Sequence, residues 1–140
     1  LNMTTDIAKY EFKPGLPQEF EVLDIAALYR AYRDDLTRLH RTGFYHIIWF
    51  QKGSPTHLVD FNPIKIKPNT LLFLNKDTVQ RFDKNNKFDG KVILFTDAFF
   101  VKRMRIGIFC ERVFCLMICF RWHILRCPMS RQCLRLCCSK

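Results

Sequence analysis

The sequence predicts a mainly β domain folded as a jelly-roll barrel, and three observations carry that prediction. Six or more short runs rich in aromatic and β-branched residues recur at intervals of roughly ten residues, separated by turn-forming clusters. Two of the densest runs, 44–50 and 56–61, flank Gln51-Lys-Gly-Ser-Pro55, whose Gly and Pro let a backbone reverse. The chain has 140 residues and is 49% hydrophobic, which suffices for one domain with a packed core and is too short for two ordinary ones. Consecutive hairpins favour a jelly roll over an immunoglobulin-like sandwich, whose Cys and Trp spacing is absent.

In chain order, Tyr10-Glu-Phe12 makes a short strand ended by Pro14-Gly15, and Phe20-Glu-Val-Leu23 a second. Asp24 is placed to N-cap a helix through Ala26, Ala27, Leu28, Tyr29, Tyr32 and Leu36, whose spacing suits a 3.6-residue period. The same segment also fits an irregular connection between strands. Asp34 and Asp35 beside Arg30, Arg33 and Arg38 make a solvated charged face. Runs 44–50 and 56–61 then pair as a β-hairpin in the barrel wall, each carrying one histidine, His46 and His57, in an apolar setting. Ile64-Lys-Ile-Lys67 alternates strictly, the mark of a strand with one wet face. Pro68-Asn-Thr70 turns the chain into the buried strand Leu71-Leu-Phe-Leu74, and Asn75-Lys-Asp77 turns it into Thr78-Val-Gln-Arg-Phe82. A polar loop precedes the last strand, Lys91-Val-Ile-Leu-Phe95.

Charge and cysteine divide the chain into two compositions. Residues 1–100 hold 14 Lys and Arg against 12 Asp and Glu, whereas residues 101–140 hold 9 against 1. All seven cysteines also fall after residue 100. Most of the net charge of +10 therefore belongs to an Arg-rich tail and not to a recognition helix, which implies at most weak, salt-labile, sequence-independent DNA binding. Leu1-Asn-Met-Thr-Thr-Asp-Ile7 lacks the basic and apolar regions of a secretory signal, and the body is free of cysteine. A cytoplasmic protein is expected.

His40-Arg-Thr-Gly-Phe-Tyr-His-Ile-Ile-Trp-Phe50, Gly53, His57-Leu-Val-Asp-Phe61, Leu71-Leu-Phe-Leu74, Val79-Gln-Arg-Phe82 and Gly90-Lys-Val-Ile-Leu-Phe-Thr-Asp-Ala-Phe-Phe100 form an ordered series of blocks. Over residues 8–100 that series resembles the N-terminal half of AraC-family transcriptional regulators. The resemblance implies a cupin-like double-stranded β-helix barrel that senses a ligand or mediates dimerisation, followed in the family by helix-turn-helix units that bind DNA. Nothing in this sequence resembles those units, so the chain reads as truncated before them. Many relatives carry histidine where this chain has Gln80. A metal-binding cupin needs several His and a carboxylate converging on one ion. His40, His46, His57 and Asp60 are the candidates here, and an alternating strand would send His57 and Asp60 to opposite faces. His46 and His57 read better as hydrogen-bonded barrel residues, and no metal or cofactor is expected.

After Lys102 the pattern stops. Residues 102–140 are rich in Arg and Cys and receive no domain, so the domain is placed at 8–101. The tail lacks a Cys-x-x-Cys pair for zinc, and Glu111, Arg112, Arg121 and His123 interrupt its apolar run, which argues against a membrane span. Seven cysteines without a secretory signal do not suit a disulfide framework. Read from the third base of each codon, the tail loses every cysteine, Met117-Ile118 becomes an Asp, and apolar helical spacing emerges. The tail therefore reads as out of frame with an ancestral gene. Its apolar residues lie all round, which favours indiscriminate self-association.

The expected function is that of a ligand-sensing domain of an AraC-type regulator, with an unidentified small-molecule effector and no enzymatic activity. The alternatives are a small metal-dependent cupin enzyme and a non-functional truncated product. Ser is scarce and no Gly-rich phosphate loop is present, so no catalytic constellation stands out. The ligand should enter a barrel mouth, with His40, Arg41, Tyr45, Trp49, His57 and Gln80 as the polar or amphipathic candidates. Arg41 suits a carboxylate or phosphate and equally suits a plain surface position.

Overall fold

A computed structural model of the chain describes residues 7–11, 20–85, 87–99 and 122–126. The elements run β1 (Ala8–Tyr10), β2 (Phe20–Asp24), α1 (Ile25–Leu36), β3 (His40–Thr42), β4 (Tyr45–Lys52), β5 (Thr56–Val59), β6 (Asn62–Lys65), β7 (Thr70–Leu74), β8 (Gln80–Arg81), β9 (Asp89–Phe95) and β10 (Trp122–Arg126). Among the described residues the strands form two five-stranded sheets, ordered β1-β3-β8-β5-β6 and β10-β7-β4-β9-β2. The mainly β jelly roll expected from the sequence is what forms. Period-two alternation decides which residues enter the core: β4 buries His46, Ile48 and Phe50 and turns Tyr45, Ile47 and Trp49 the other way. Ile48, Phe50, Leu72 and Val92 from one sheet meet Val59 and Phe82 from the other in one apolar cluster.

The predicted hairpin between runs 44–50 and 56–61 does not form. β4 pairs with β7 and β9, whereas β5 pairs with β6 and β8 in the facing sheet. The physical reason is coverage. Each run has its own inward row, and placing the two rows opposite one another lets them bury each other, with the Phe50 and His57 rings 5.8 Å apart. The Gly and Pro between the runs carry the chain from sheet to sheet: Gly53 takes φ 85°, and the buried Pro55 accepts from the Ile66 amide at 2.9 Å.

The tight hairpin is β5–β6 instead. Its two-residue turn, Asp60-Phe61, has φ 46° and 66°, as a type I′ turn requires. Asp60 steadies that backbone by accepting from the Val79 amide at 3.2 Å and donating its own amide to the Val79 carbonyl at 2.8 Å. Those bonds also shorten β8, because Val79 is spent on the turn and Phe82 donates its amide to the Leu36 carbonyl.

Segment 25–36 is helical. Asp24 stands at its N-cap with extended backbone but makes no side-chain cap bond; its carboxylate pairs with Lys91 instead. Ile25 and Tyr29 bury their side chains, Leu28 and Leu36 pack beside them, and the Tyr29 hydroxyl donates to the Asp83 carbonyl. The helix is bent at Tyr32, whose φ of −136° and ψ of 30° are not helical. Strand β10 arises in the part of the sequence to which no domain was assigned. It pairs antiparallel with β7 from Trp122 opposite Leu74 to Arg126 opposite Thr70, and Ile124 packs against the core. The expected end of the first strand at Phe12 to Gly15, and the rest of 102–140, lie outside the described residues. Among those described, no helix is long and apolar enough to cross a membrane.

Candidate functional site

A cavity of about 470 Å³ lies between the sheets beneath α1. Strand alternation and helical spacing build it. On β2, Glu21 and Leu23 line it, while Val22 turns out to solvent. On α1, Ala27, Ala31 and Asp35 recur every fourth residue and so share one face. The two alanines keep that wall shallow. Leu23, Leu28, Phe44, Phe82, Val92 and Leu94 make the lining predominantly apolar. Tyr10, Glu11, Ala27, Ala31 and Tyr32 are exposed members of the lining and mark where it opens to solvent.

Register places the polar groups within this lining. Leu94 of β9 lies opposite Glu21 of β2 on one side and opposite His46 of β4 on the other. Glu21 and His46 thus stand on one rung, two strands or roughly 10 Å apart, with Leu94 between them. At the other wall the Tyr10 hydroxyl donates to Asp35 Oδ1 at 2.8 Å, and the Tyr10 and His40 rings meet edge to face at 5.9 Å. Burial, then the Asp35 carboxylate, raises the Tyr10 hydroxyl above its ordinary pKa of 10.0.

The hydrogen bonds determine which imidazole nitrogens carry protons. His40 Nδ1 lies 2.9 Å from the Arg38 carbonyl, which can only accept, so Nδ1 carries the proton. Thr42 Oγ1 donates to the Phe44 carbonyl at 3.0 Å and is left to accept from His46 Nδ1 at 3.4 Å. Burial keeps both rings neutral: it lowers His40, and with His40 and His57 nearby it pushes His46 down to about 3. A neutral ring protonated at Nδ1 presents a bare lone pair at Nε2.

His57 and Gln80 form a separate pair. His57 Nε2 donates to Gln80 Oε1 at 3.1 Å, both side chains are buried, and burial pushes His57 down to about 4. The Phe50 and Phe82 rings flank the imidazole edge-on at 5.8 and 4.7 Å. The pair sits in the core and does not line the cavity. Of the six residues proposed from sequence, His40 alone lies in this lining. Arg41 is exposed on β3. Tyr45 and Trp49 occupy the outer face of β4, where the Tyr45 hydroxyl donates to Asp97 Oδ1 at 2.7 Å. Glu11, Glu21, Asp35, Tyr10 and Tyr32 were not foreseen. The Ala27, Ala31, Asp35 spacing and the alternation of β2 were the signals that could have found the wall residues. Among the described residues no group of three or more His, Cys, Asp or Glu is placed to hold a metal ion.

The family model described as the AraC-like ligand binding domain matches residues 22–101, more than half of the sequence. The chain belongs to that family. The match takes in most of β2 and all of α1 through β9, and so most of the cavity wall, Tyr10, Glu11 and Glu21 excepted. No curated protein matches the sequence. Two solved structures of ToxT from Vibrio cholerae are similar in fold, at 11% and 12% sequence identity and a TM-score of 0.42 in each case. One of these ToxT structures is bound to (E)-4-(8-methylnaphthalen-1-yl)but-3-enoic acid. Each alignment covers 67% of this chain, which spans 38% of the ToxT chain.

Proposed function

We propose that this domain is the effector sensor of an AraC-type transcriptional regulator and that the effector, a small molecule, binds in the cavity beneath α1. The observation that carries the reading is the cavity itself. About 470 Å³ falls in the range of small-molecule sites, and the lining combines an apolar wall with a few converging polar groups. Membership of a ligand-binding family supports the same reading. The role is binding and not catalysis. Signal would leave through α1, which roofs the cavity, bends at the lining residue Tyr32, and is tied through Leu36 to Phe82 of the facing sheet. Self-association and any contact with DNA are further parts of the regulator reading.

The test is a thermal-shift screen of small metabolites against the protein and against Ala27→Trp, which fills the cavity from α1. A ligand present at one hundred times its Kd stabilises the native state by about 2.7 kcal/mol. The stabilising compound should lose its effect on Ala27→Trp while that variant still melts cooperatively. Equal stabilisation of both proteins would move the binding site elsewhere.

A further inference from the structure

The charged groups of the cavity are all of one sign. Among the described lining residues there is no Lys or Arg, while three carboxylates, Glu11, Glu21 and Asp35, face the same space. Two of the three have partners. Glu11 is paired with Lys9 at 3.4 Å, and Asp35 accepts the Tyr10 hydroxyl. Glu21 is half-buried, and its carboxylate has neither an ion pair nor a hydrogen bond among the described residues. On the same rung His46, only 6% exposed, uses Nδ1 on Thr42, and its Nε2 lone pair has no partner among the described residues. His40, 4% exposed, likewise uses Nδ1 on the Arg38 carbonyl, and its Nε2 has no hydrogen bond among the described residues. Acceptors that face the cavity without a protein donor are open to a ligand that brings one.

We propose that the cavity takes an apolar molecule carrying an amine head group, its ammonium held between the Glu21 carboxylate and the His46 Nε2 lone pair, and that it rejects carboxylates. The proposal rests on the cavity being the effector site. An ammonium brings three donors and one positive charge. It satisfies Glu21 by a charge-assisted bond and has donors left for the imidazole nitrogens. The apolar body then lies along Leu23, Leu28, Val92 and Leu94. A carboxylate of the same shape brings acceptors to acceptors and a negative charge to Glu21, with no cation in the described lining to offset it. Ala27 and Ala31 leave room for a ring beneath the helix.

The test is calorimetric titration of the full chain at pH 7.5 with 4-phenylbutylamine and with 4-phenylbutanoate, which differ in the head group alone. The amine should bind about tenfold or more tightly than the acid, and Glu21→Gln should weaken the amine about tenfold while leaving the ligand-free melting temperature unchanged. The unchanged melting follows because Glu21 has no partner to lose. Equal or tighter binding of the acid overturns the amine assignment and leaves the cavity as a ligand site. Undiminished amine affinity in Glu21→Gln overturns it as well. The absence of binding by either compound at millimolar concentration overturns the cavity reading and this proposal together. The wild-type comparison stands whether or not the variant folds.

Discussion

Lowering the pH from 7 to 5 should destabilise this protein markedly, and the two buried histidines give the size of the effect. In the folded state His46 is held down to about 3 and His57 to about 4, burial being the first cause in each, against an ordinary value of 6.5. At pH 5 an unfolded chain protonates both rings and the folded chain protonates neither. Stability is therefore fully present above pH 6.5 and declines as the pH falls, to about 4 for His57 and about 3 for His46. Each ring contributes about 1.4 kcal/mol per pH unit over 1.5 units, or about 2 kcal/mol, so the pair removes about 4 kcal/mol. That is a large share of the 5–15 kcal/mol typical of a domain.

With a urea slope of about 2 kcal/mol/M, the midpoint should fall by about 2 M between pH 7 and pH 5. Asp97 does not interfere. Burial raises it, but hydrogen bonds from Lys76 and Tyr45 outweigh burial and hold it below its ordinary 3.8, outside this window. His40 is lowered too and adds to the loss. Urea melts at the two pH values measure the total, and His57→Gln should show roughly half the pH dependence. Imidazole proton resonances of His46 and His57 that titrate near pH 6.5, or identical midpoints at pH 7 and 5, would refute the reasoning.

Three further outcomes are expected. A Cβ at Gly90 would fall 1.8 Å from the Trp49 carbonyl oxygen, where β9 crosses the bulge in β4, so Gly90→Ala should cost about 3 kcal/mol or prevent folding, read by urea melts. Phe61 sits at the exposed tip of the β5–β6 turn with φ 66°, and Phe61→Gly should raise stability by about 1 kcal/mol in the same assay; a loss would show that the ring contributes to the core. Ending the chain after residue 102 should leave a folded, β-rich domain by circular dichroism, because the described core residues other than Ile124 precede residue 100. The β7 edge uncovered by removing β10 should then drive concentration-dependent association in sedimentation; loss of the folded signal would show that β10 is integral.

Strand content, the helical spacing after Asp24 and the burial of the 71–74 strand were legible because period and turn chemistry are local properties of the chain. The partner of each strand was not. The 44–50 and 56–61 runs flank Gly and Pro as a hairpin would, yet mutual coverage of their inward rows sends them to opposite sheets. The real hairpin escaped notice because its turn, Asp60-Phe61, lacks the Asn-Gly or Asp-Gly signal and is held by bonds to Val79, nineteen positions on. The site divides in the same way. Residue type marked His46 and His57 as polar groups in apolar strands and His40 as a candidate ligand contact, but a binding wall also needs neighbours. Leu94 brings Glu21 and His46, twenty-five positions apart, onto one rung, and α1 lays Ala27, Ala31 and Asp35 over the same space. Trp49 and Tyr45 look equally suited to a pocket in the sequence, and strand parity turns both to the outer face. By itself the sequence determined the fold class and the family, since these follow from residue type and spacing. Tertiary structure alone decided which acceptors share a cavity and which lack a donor, because both depend on register between strands that are distant along the chain.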